Sequence, residues 1–191
     1  MSPLEIVGVV LGVLMVWMFV RENIWAWPVG LVDSGIYVWI YYSSKLYSDA
    51  ILQVVYCVIF AYGWWHWGLG RGTKAELPVT RMRLRALFAW IALGALATAA
   101  WGELMHRKTD AALPHWDAFI LVFGLIAQWW QARKRLENWI AWVVIDGVGI
   151  GVYWAKDLRP TAALYALFLA MAVAGHIAWR KSLLQARASA Q

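Results

Sequence analysis

Long apolar runs separated by short polar segments make up most of the chain. A helix that crosses a bilayer needs about 20 mostly apolar residues, and about 17 are tolerated. We therefore predict an all-α membrane protein with a single membrane domain over residues 1–191. Seven runs are long enough, and we predict a transmembrane helix for each: Leu4–Val20, Ile24–Tyr42, Ala50–Trp67, Ala86–Glu103, Trp116–Arg133, Trp139–Ala155 and Thr161–Trp179.

The chain also contains an internal repeat. The segment Glu22–Trp27 (E-N-I-W-A-W) is nearly repeated 115 positions later by Glu137–Trp142 (E-N-W-I-A-W). A second similarity pairs Gly63 with Gly175, now 112 positions apart, so the second copy should have a connection three residues shorter. Repeats in membrane proteins commonly bind small solutes where the repeats meet.

The repeat predicts how the seven helices are organised. Repeat 1 covers about residues 4–67, a linker helix about 86–103, and repeat 2 about 116–179. A single linker helix keeps both triplets in the same orientation. We therefore predict a SWEET-like bundle of 3+1+3 helices with parallel repeats.

Composition and charge support a membrane location. Hydrophobic residues make up 63% of the chain, and the net charge is +6. Twelve basic residues lie on the side that holds the C-terminus, including Arg71 and Lys74, and five lie on the other side. Positive charge favours the cytoplasmic side. We predict a cytoplasmic C-terminus and an external N-terminus, and we expect no nucleic-acid partner.

Polar residues on the sixth span form one stripe. Asn138, Trp142, Asp146, Gly149 and Tyr153 follow one another at steps of three or four, so they share a helical face. A carboxylate at mid-membrane costs about 2.5–3.5 kcal/mol on insertion scales, so it should face the protein interior or a watery cavity. The stripe is a candidate binding surface, although a structural hydrogen bond would also explain Asp146.

Other spans supply weaker candidates. In span two, Asn23 and Trp27 lie on a matching face, and Asp33 points away from it. Gln53 in span three and Gln128 in span five are polar groups deep within apolar runs. Aromatic packing is the simpler explanation for most tryptophans, because Trp and Tyr also collect at membrane interfaces.

These residue types predict the chemistry of the ligand. Tryptophan faces attract flat cations, by roughly 0.5–2 kcal/mol per cation–π contact. A nearby carboxylate favours positive charge, and amides bind hydrogen-bonding edges. No cluster of Lys or Arg lies inside a span, so a phosphorylated ligand would lack its usual partners. We expect an unphosphorylated, cationic heteroaromatic ligand in a cavity between the repeats.

Several other functions lack support in the sequence. There is no G-x-x-x-x-G-K-[ST], H-E-x-x-H or G-x-S-x-G motif, so we expect no enzyme of those kinds. His66 and His176 lie near the ends of spans three and seven, but nothing else indicates haem. We therefore expect no cofactor and no metal.

The order of these motifs resembles the PnuC-type vitamin transporters. The similarity includes Trp116–Asp117, Ala127–Gln128, Glu137–Trp142 and Asp146 in the second half, and Gln53 with Tyr62–Trp64 in the first. It covers nearly the whole chain from Leu4 to Trp179. The most specific element is E-N-W-x-x-W.

The resemblance implies a function and a set of binding residues. It implies uptake of nicotinamide riboside across the bacterial cytoplasmic (inner) membrane by facilitated diffusion, with a cytoplasmic kinase that traps the product, and assembly as a homotrimer. The binding pair would be Trp139 and Trp142, with Asn138 beside them and Gln128 facing them. In the first repeat only Trp27 matches this pair, so Trp25 receives no role.

Three alternatives stay open at this point, and one is a structural or receptor-like seven-helix protein, which vitamin flux in liposomes containing this chain alone would exclude. Some relatives in the resembled family carry thiamine, which is also a flat cation, so Asp146 does not separate the two vitamins. A haem or other redox membrane protein is a different class of function. Binding measurements with both vitamins and an absorption spectrum of the purified protein would separate these possibilities.

Overall fold

A computed structural model describes residues 3–68 and 77–189 of the chain. Within them the backbone forms seven α-helices and no strand, which confirms the predicted all-α fold. Arg71 and Lys74, which the charge argument used, lie outside the described residues. The helices are α1 (Pro3–Val20), α2 (Ala26–Ser43), α3 (Tyr47–Trp67), α4 (Leu84–Lys108), α5 (Pro114–Ala132), α6 (Glu137–Ala155) and α7 (Arg159–Ala188).

Hydropathy differs among the seven helices. Among the described residues, four are long and apolar enough to cross a membrane by themselves: Asp49–Trp67, Leu84–Lys108, Glu137–Ala155 and Arg159–Ala188. A shorter apolar helix covers Ile6–Val20. Polar side chains, such as Asp33 in α2 and Gln128 in α5, lower the hydropathy of the other helices. α7 also continues beyond the predicted end at Trp179, because helix-forming residues follow the apolar run.

The chain divides into two compact units, residues 1–78 and 79–191. In the first unit, α1, α2 and α3 pack around the ring of Trp27, which is fully buried. That ring meets Phe19 at 4.6 Å and Trp67 at 5.2 Å between centroids, both edge-on. It also lies directly over Gly63, where a Cβ atom would collide with it. A large aromatic ring therefore fills the contact between α2 and α3 only because α3 has a glycine there.

The second unit contains α4 to α7 and packs in the same way. Trp139 on α6 is 1% exposed and meets Trp179 on α7 edge-on at 5.4 Å. A Cβ atom on Gly175 would lie 2.6 Å from three atoms of the Trp139 indole. The contact between α6 and α7 thus repeats the aromatic-over-glycine packing of the first unit.

Turns after four helices share one backbone conformation. Among the described residues that are not glycine, four have a positive φ: Glu22 (55°), Lys45 (60°), Lys134 (51°) and Asp157 (57°). Each follows a helix end and is followed by a six-to-one hydrogen bond, as in Asn23 N to Met18 O at 2.9 Å. This is the Schellman motif, in which glycine is the usual left-handed residue.

These turns define the register of the repeat. Glu22 and Lys134 are 112 positions apart, and so are Lys45 and Asp157. Two arginine-over-tryptophan contacts, Arg21 on Trp17 and Arg133 on Trp129, follow the same offset and have the same 4.7 Å separation. The structural offset is therefore 112 at both ends of the repeat.

The sequence analysis derived an offset of 115 from the E-N motifs. This prediction is wrong, because the equivalent turns of the two repeats are 112 residues apart. Glu22 is the left-handed turn residue after α1, whereas Glu137 lies in the first turn of α6. In the 112 register Trp27 matches Trp139, and the counterpart of Trp142 is Gly30. A shift of three residues is close to one helical turn of 3.6 residues, so a pattern comparison cannot readily detect it.

An extended segment before α4 is bonded to the turn between α5 and α6. Thr80 N donates to Lys134 O at 3.0 Å, and Leu136 N donates to Thr80 O at 2.9 Å. Met82 N donates to Glu137 Oε2 at 3.1 Å. These bonds fix the turn that leads into Asn138.

At the end of the hairpin away from this turn, an ion pair joins the start of α5 to the end of α6. Lys156 Nζ donates to both oxygens of Asp117 at 2.7 Å. Asp117 lies in the first turn of α5, and Lys156 follows the last turn of α6, which are the favourable positions for these charges in the helix dipole. Contacts at both ends therefore hold α5 and α6 together.

Candidate functional site

The polar stripe predicted on α6 lies on the covered face of that helix. Asn138, Asp146 and Gly149 are buried, and Trp142 and Tyr153 are half-buried. Asp146 is only 3% exposed, and no described residue donates a hydrogen bond or an ion pair to its carboxylate. A buried carboxylate without a cationic partner in its own unit is suited to a cation supplied by a ligand.

Two glutamines on α5 add amide groups to the same unit. Gln128 is 4% exposed, and its Nε2 is buried without a hydrogen-bond partner among the described residues. Gln131, one turn later, is 3% exposed, and its Oε1 accepts a hydrogen bond of 3.0 Å from Trp142 Nε1. The sequence reasoning identified Gln128 and missed Gln131, although the spacing of three residues places both on one side of α5.

Asn138 is the most deeply buried of the polar residues. Its side chain is fully buried, and Nδ2 donates to the carbonyl of Arg135 in the preceding turn at 2.5 Å. Its Oδ1 is buried and accepts no hydrogen bond from the described residues. Unsatisfied buried polar atoms are rare in proteins and require an explanation such as a ligand or a bound water.

The equivalent positions of the first unit have a different chemistry. In place of three amides, a tryptophan and a carboxylate, the first unit has small or apolar side chains and one hydroxyl. The polar cluster is therefore a property of the second unit alone. At the offset of 112, Gln128, Gln131, Asn138, Trp142 and Asp146 correspond to Val16, Phe19, Ala26, Gly30 and Ser34.

Two predicted binding tryptophans are packing residues in this structure. The rings of Trp27 and Trp139 are at most 1% exposed, and each fills a contact between two helices. Neither ring offers a free face to a ligand. Their Nε1 atoms are buried without partners among the described residues, and we leave both tryptophans out of the proposed binding set.

Asn23 and Gln53, two further predicted binding residues, belong to the first unit. Asn23 was predicted to share a helical face with Trp27, but α2 begins only at Ala26. Its side chain is exposed, and Oδ1 accepts from Trp25 N at 2.9 Å, which is a local turn contact. The i+4 spacing does not apply because the residue precedes the helix. Gln53 is half-buried on α3.

Tyr153 lies at the far end of the α6 stripe. Its ring meets that of Tyr165 on α7 at 4.9 Å between centroids. Tyr165 also covers Gly149, where a Cβ atom would collide with its ring. These contacts make Tyr153 part of an aromatic layer between α6 and α7. Its phenol ring is half-buried.

An apolar groove of about 360 Å³ lies elsewhere in the second unit, between α4 and α5. Its lining lacks the amides and the carboxylate, so it does not match the predicted ligand. The lining residues are Ala97, Ala100, Trp101, Leu104, Leu121 and Val122.

An all-helical, apolar bundle with a buried polar cluster is typical of a membrane carrier for a small solute. Comparison with known proteins establishes the family. Residues 2–181 match the nicotinamide mononucleotide transporter family, and the chain belongs to it. It is therefore a multi-pass membrane protein, and the resemblance to PnuC-type transporters is confirmed.

Individual relatives support the same class of protein. The chain is 28% identical over 178 residues to the riboflavin/roseoflavin transporter RibM of Streptomyces davaonensis, which covers 92% of this chain and 83% of the relative. It is 23% identical over 207 residues to the nicotinamide riboside transporter PnuC of Escherichia coli K12, covering 95% and 87%. A crystal structure of the vitamin B3 transporter PnuC has a TM-score of 0.75 at 23% identity and covers 95% of this chain and 82% of its own. The chain is a membrane vitamin transporter of the PnuC family.

Proposed function

We propose that this protein carries nicotinamide riboside, an unphosphorylated cationic vitamin, across the bacterial cytoplasmic membrane. The supporting observation is Asp146, a buried carboxylate that no described residue pairs with, on the same face of α6 as Trp142. The charged pyridinium ring would stack on Trp142, and Asp146 would supply the counter-charge. Gln128, Asn138 and Tyr153 would bind the polar edges of the substrate.

The carboxylate separates this proposal from riboflavin, the substrate in the name of one relative. Riboflavin has a neutral ring system, and a neutral ligand would leave Asp146 buried and unpaired. Burial of an unpaired charge is costly. A cationic ring compensates this cost, so the polar cluster favours nicotinamide riboside over riboflavin.

The same cluster argues against a phosphorylated substrate, although the family description names a mononucleotide. Phosphate groups in proteins are usually bound by Arg or Lys side chains or by helix N-termini. The cluster of Gln128, Gln131, Asn138, Trp142 and Asp146 contains no cation. Its carboxylate would also repel a phosphate dianion, so the riboside is the better substrate.

Thiamine is the second candidate, because its thiazolium ring is also a flat cation. Asp146 and Trp142 would bind either vitamin, and the amides must discriminate between them. The names of three relatives include nicotinamide riboside. This favours the riboside. The family membership likewise favours a transporter over the haem or redox alternative.

Facilitated diffusion completes the proposal. A pump driven by an ion gradient usually has several ionisable groups along its pathway, and the polar cluster has one carboxylate. Net uptake would then come from a cytoplasmic kinase, since the added phosphate finds no partner at Asp146.

We also propose the homotrimer that the family resemblance implies. Helix α4 exposes large apolar side chains, which either lipid or a second copy of the chain would cover.

Transport by the purified protein in liposomes tests the substrate. We expect labelled nicotinamide riboside to equilibrate across the membrane. Nicotinamide mononucleotide is the matched control, because it differs from the riboside only by a phosphate, and it should neither cross nor compete. Thiamine and riboflavin complete the series. Transport of riboflavin without the riboside would contradict the proposal.

A second arm of this experiment tests the mechanism. With an imposed pH gradient or sodium gradient, the internal riboside concentration should still stop at the external value. Enclosing a riboside kinase and ATP in the liposomes should then raise the total internal label above that value. Uphill accumulation of unmodified riboside by either gradient would exclude facilitated diffusion.

The positive-inside distribution predicts the orientation of the termini. An alkaline phosphatase fused to the C-terminus should stay inactive, because this enzyme folds only outside the cytoplasm, and the same enzyme fused to the N-terminus should be active. The control is a fluorescent protein that matures only in the cytoplasm, which should give the inverse pattern. Phosphatase activity at the C-terminus would reverse the proposed orientation.

A further inference from the structure

Within the part of the chain that the structure describes, one hydrogen bond joins two side chains of the polar cluster on α5 and α6, and it lies between Gln131 and Trp142. Trp142 Nε1 lies 3.0 Å from Gln131 Oε1. An indole N–H can only donate, so the carbonyl oxygen of the amide must face it. Trp142 is half-buried, whereas Gln131 is 3% exposed, so the bond joins a buried residue to a partly accessible ring.

Packing alone does not explain a glutamine at this position. In the first unit the equivalent residue is Phe19, which is 1% exposed and meets Trp27 at 4.6 Å. The equivalent of Trp142 is Gly30, which has no ring to hold. The same fold therefore accepts an apolar side chain where no indole needs a partner, and burial of an amide is unfavourable unless it is hydrogen-bonded.

We propose that Gln131 is a positioning residue that fixes the plane of the Trp142 indole for stacking against the vitamin ring. This inference rests on the proposed function and extends it. An indole free to rotate about its side-chain bonds would lose orientation entropy when a flat ligand binds. The hydrogen bond removes that freedom before binding, and pre-organisation of this kind increases affinity.

A double-mutant cycle with Gln131→Leu and Trp142→Phe tests this proposal. Leucine is similar in size and removes the acceptor, and phenylalanine keeps an aromatic ring and removes the donor. We expect Gln131→Leu to weaken riboside binding by roughly three- to tenfold, the effect of losing one hydrogen bond. The maximal transport rate and the unfolding temperature should change little. In the Trp142→Phe background, Gln131→Leu should have no further effect. Independent, multiplying losses would overturn the proposal.

A spectroscopic measurement tests the hydrogen bond without any ligand. In protein labelled with 5-fluorotryptophan, the ¹⁹F signal of Trp142 is the one that Trp142→Phe removes. This signal should shift and broaden in Gln131→Leu. If Gln131→Leu fails to fold, Gln131→Met replaces it, since methionine has a similar length, carries no charge and lacks the amide oxygen; an unchanged signal there would also overturn the proposal.

The two measurements separate failure of this inference from failure of the proposed function. If the wild-type protein does not bind nicotinamide riboside, the proposed function is wrong. The ¹⁹F signal of Trp142 still reports on Gln131 in that case, and the mutant cycle is run with whichever of thiamine or riboflavin binds. An unchanged ¹⁹F signal in folded Gln131→Leu would overturn the positioning role whatever the substrate.

Discussion

Replacing Gly175 with alanine should strongly destabilise the protein. The new Cβ atom would lie 2.6 Å from the indole of Trp139, a separation that real Cβ contacts do not show. The indole is 1% exposed and meets Trp179 edge-on, so it has little room to move. Overpacking of a core costs about 1–3 kcal/mol, and sometimes more. Thermal unfolding of the detergent-purified protein should therefore begin several degrees lower.

Gly151 provides the matched control for this substitution. It lies on α6, and a Cβ atom there would have no neighbour within 4 Å. Gly151→Ala should leave the unfolding temperature unchanged or raise it, because alanine favours a helix by up to about 1 kcal/mol over glycine. Gly63→Ala should resemble Gly175→Ala, since Trp27 covers Gly63 in the first unit. Equal stability of Gly175→Ala and Gly151→Ala would contradict the aromatic-over-glycine packing.

Replacing Asp146 with asparagine should reduce the affinity for cationic vitamins. The substitution keeps the shape of the side chain and removes its charge. Hydrogen bonds and contacts to a charged group contribute about 1.5–3 kcal/mol, which corresponds to roughly a 10- to 150-fold change in affinity. Isothermal titration of the purified variant with nicotinamide riboside measures this change. Any residual binding of riboflavin should not weaken and could strengthen, because riboflavin carries no cation and the variant no longer has an unpaired buried charge.

Asp157→Asn is the control for the loss of charge. Asp157 follows α6 directly, and its side chain is 84% exposed beside Arg159. The chemical change is identical, but the carboxylate is solvated, so we expect the wild-type affinity. If both variants bind the riboside as the wild-type protein does, Asp146 is not the counter-charge and the substrate site must be sought elsewhere.

Most of the fold could be predicted because each helix coincides with an apolar run. In a bilayer the backbone must satisfy its own hydrogen bonds, so a sufficiently long apolar run forms a helix. The ends were less predictable, as in α7, which continues to Ala188 after the apolar run ends. Hydropathy marks the part of a helix suited to lipid, whereas helix propensity decides where the helix stops.

The register at the start of the repeat could not be predicted from residue identities. Left-handed turn residues are usually glycine, and here the residues are Glu22, Lys45, Lys134 and Asp157. A charged residue in a turn gives no sequence signal for that conformation. The two E-N dipeptides have the same residues but different structural positions. Glu22 lies in a turn, whereas Glu137 lies in the first turn of α6. The pairing of Gly63 with Gly175 already had the offset of 112, and the backbone shows that this offset also applies at the start of the repeat.

The candidate site could be predicted in part. The stripe on α6 followed from a spacing of three and four, and the structure places those residues on its covered face. Gln131 was missed because a glutamine near a helix end is usually solvated. Trp139 and Trp27 were predicted to bind the ligand, and in the structure both indoles pack on glycines. The identity of a residue does not distinguish an indole that binds a ligand from one that packs on glycine. Their difference arises from Gly175 and Gly63, which are far away in the chain.

The ion pair between Asp117 and Lys156 has a mechanical consequence. One ammonium group contacts both carboxylate oxygens, so separating α5 from α6 at that end would break two charged contacts together. We therefore expect the hairpin of these helices to move as one rigid unit. If the hairpin moves as a unit during transport, the hinges should lie in the flanking connections. These are residues 109–113 before α5 and the left-handed turn at Asp157 after α6.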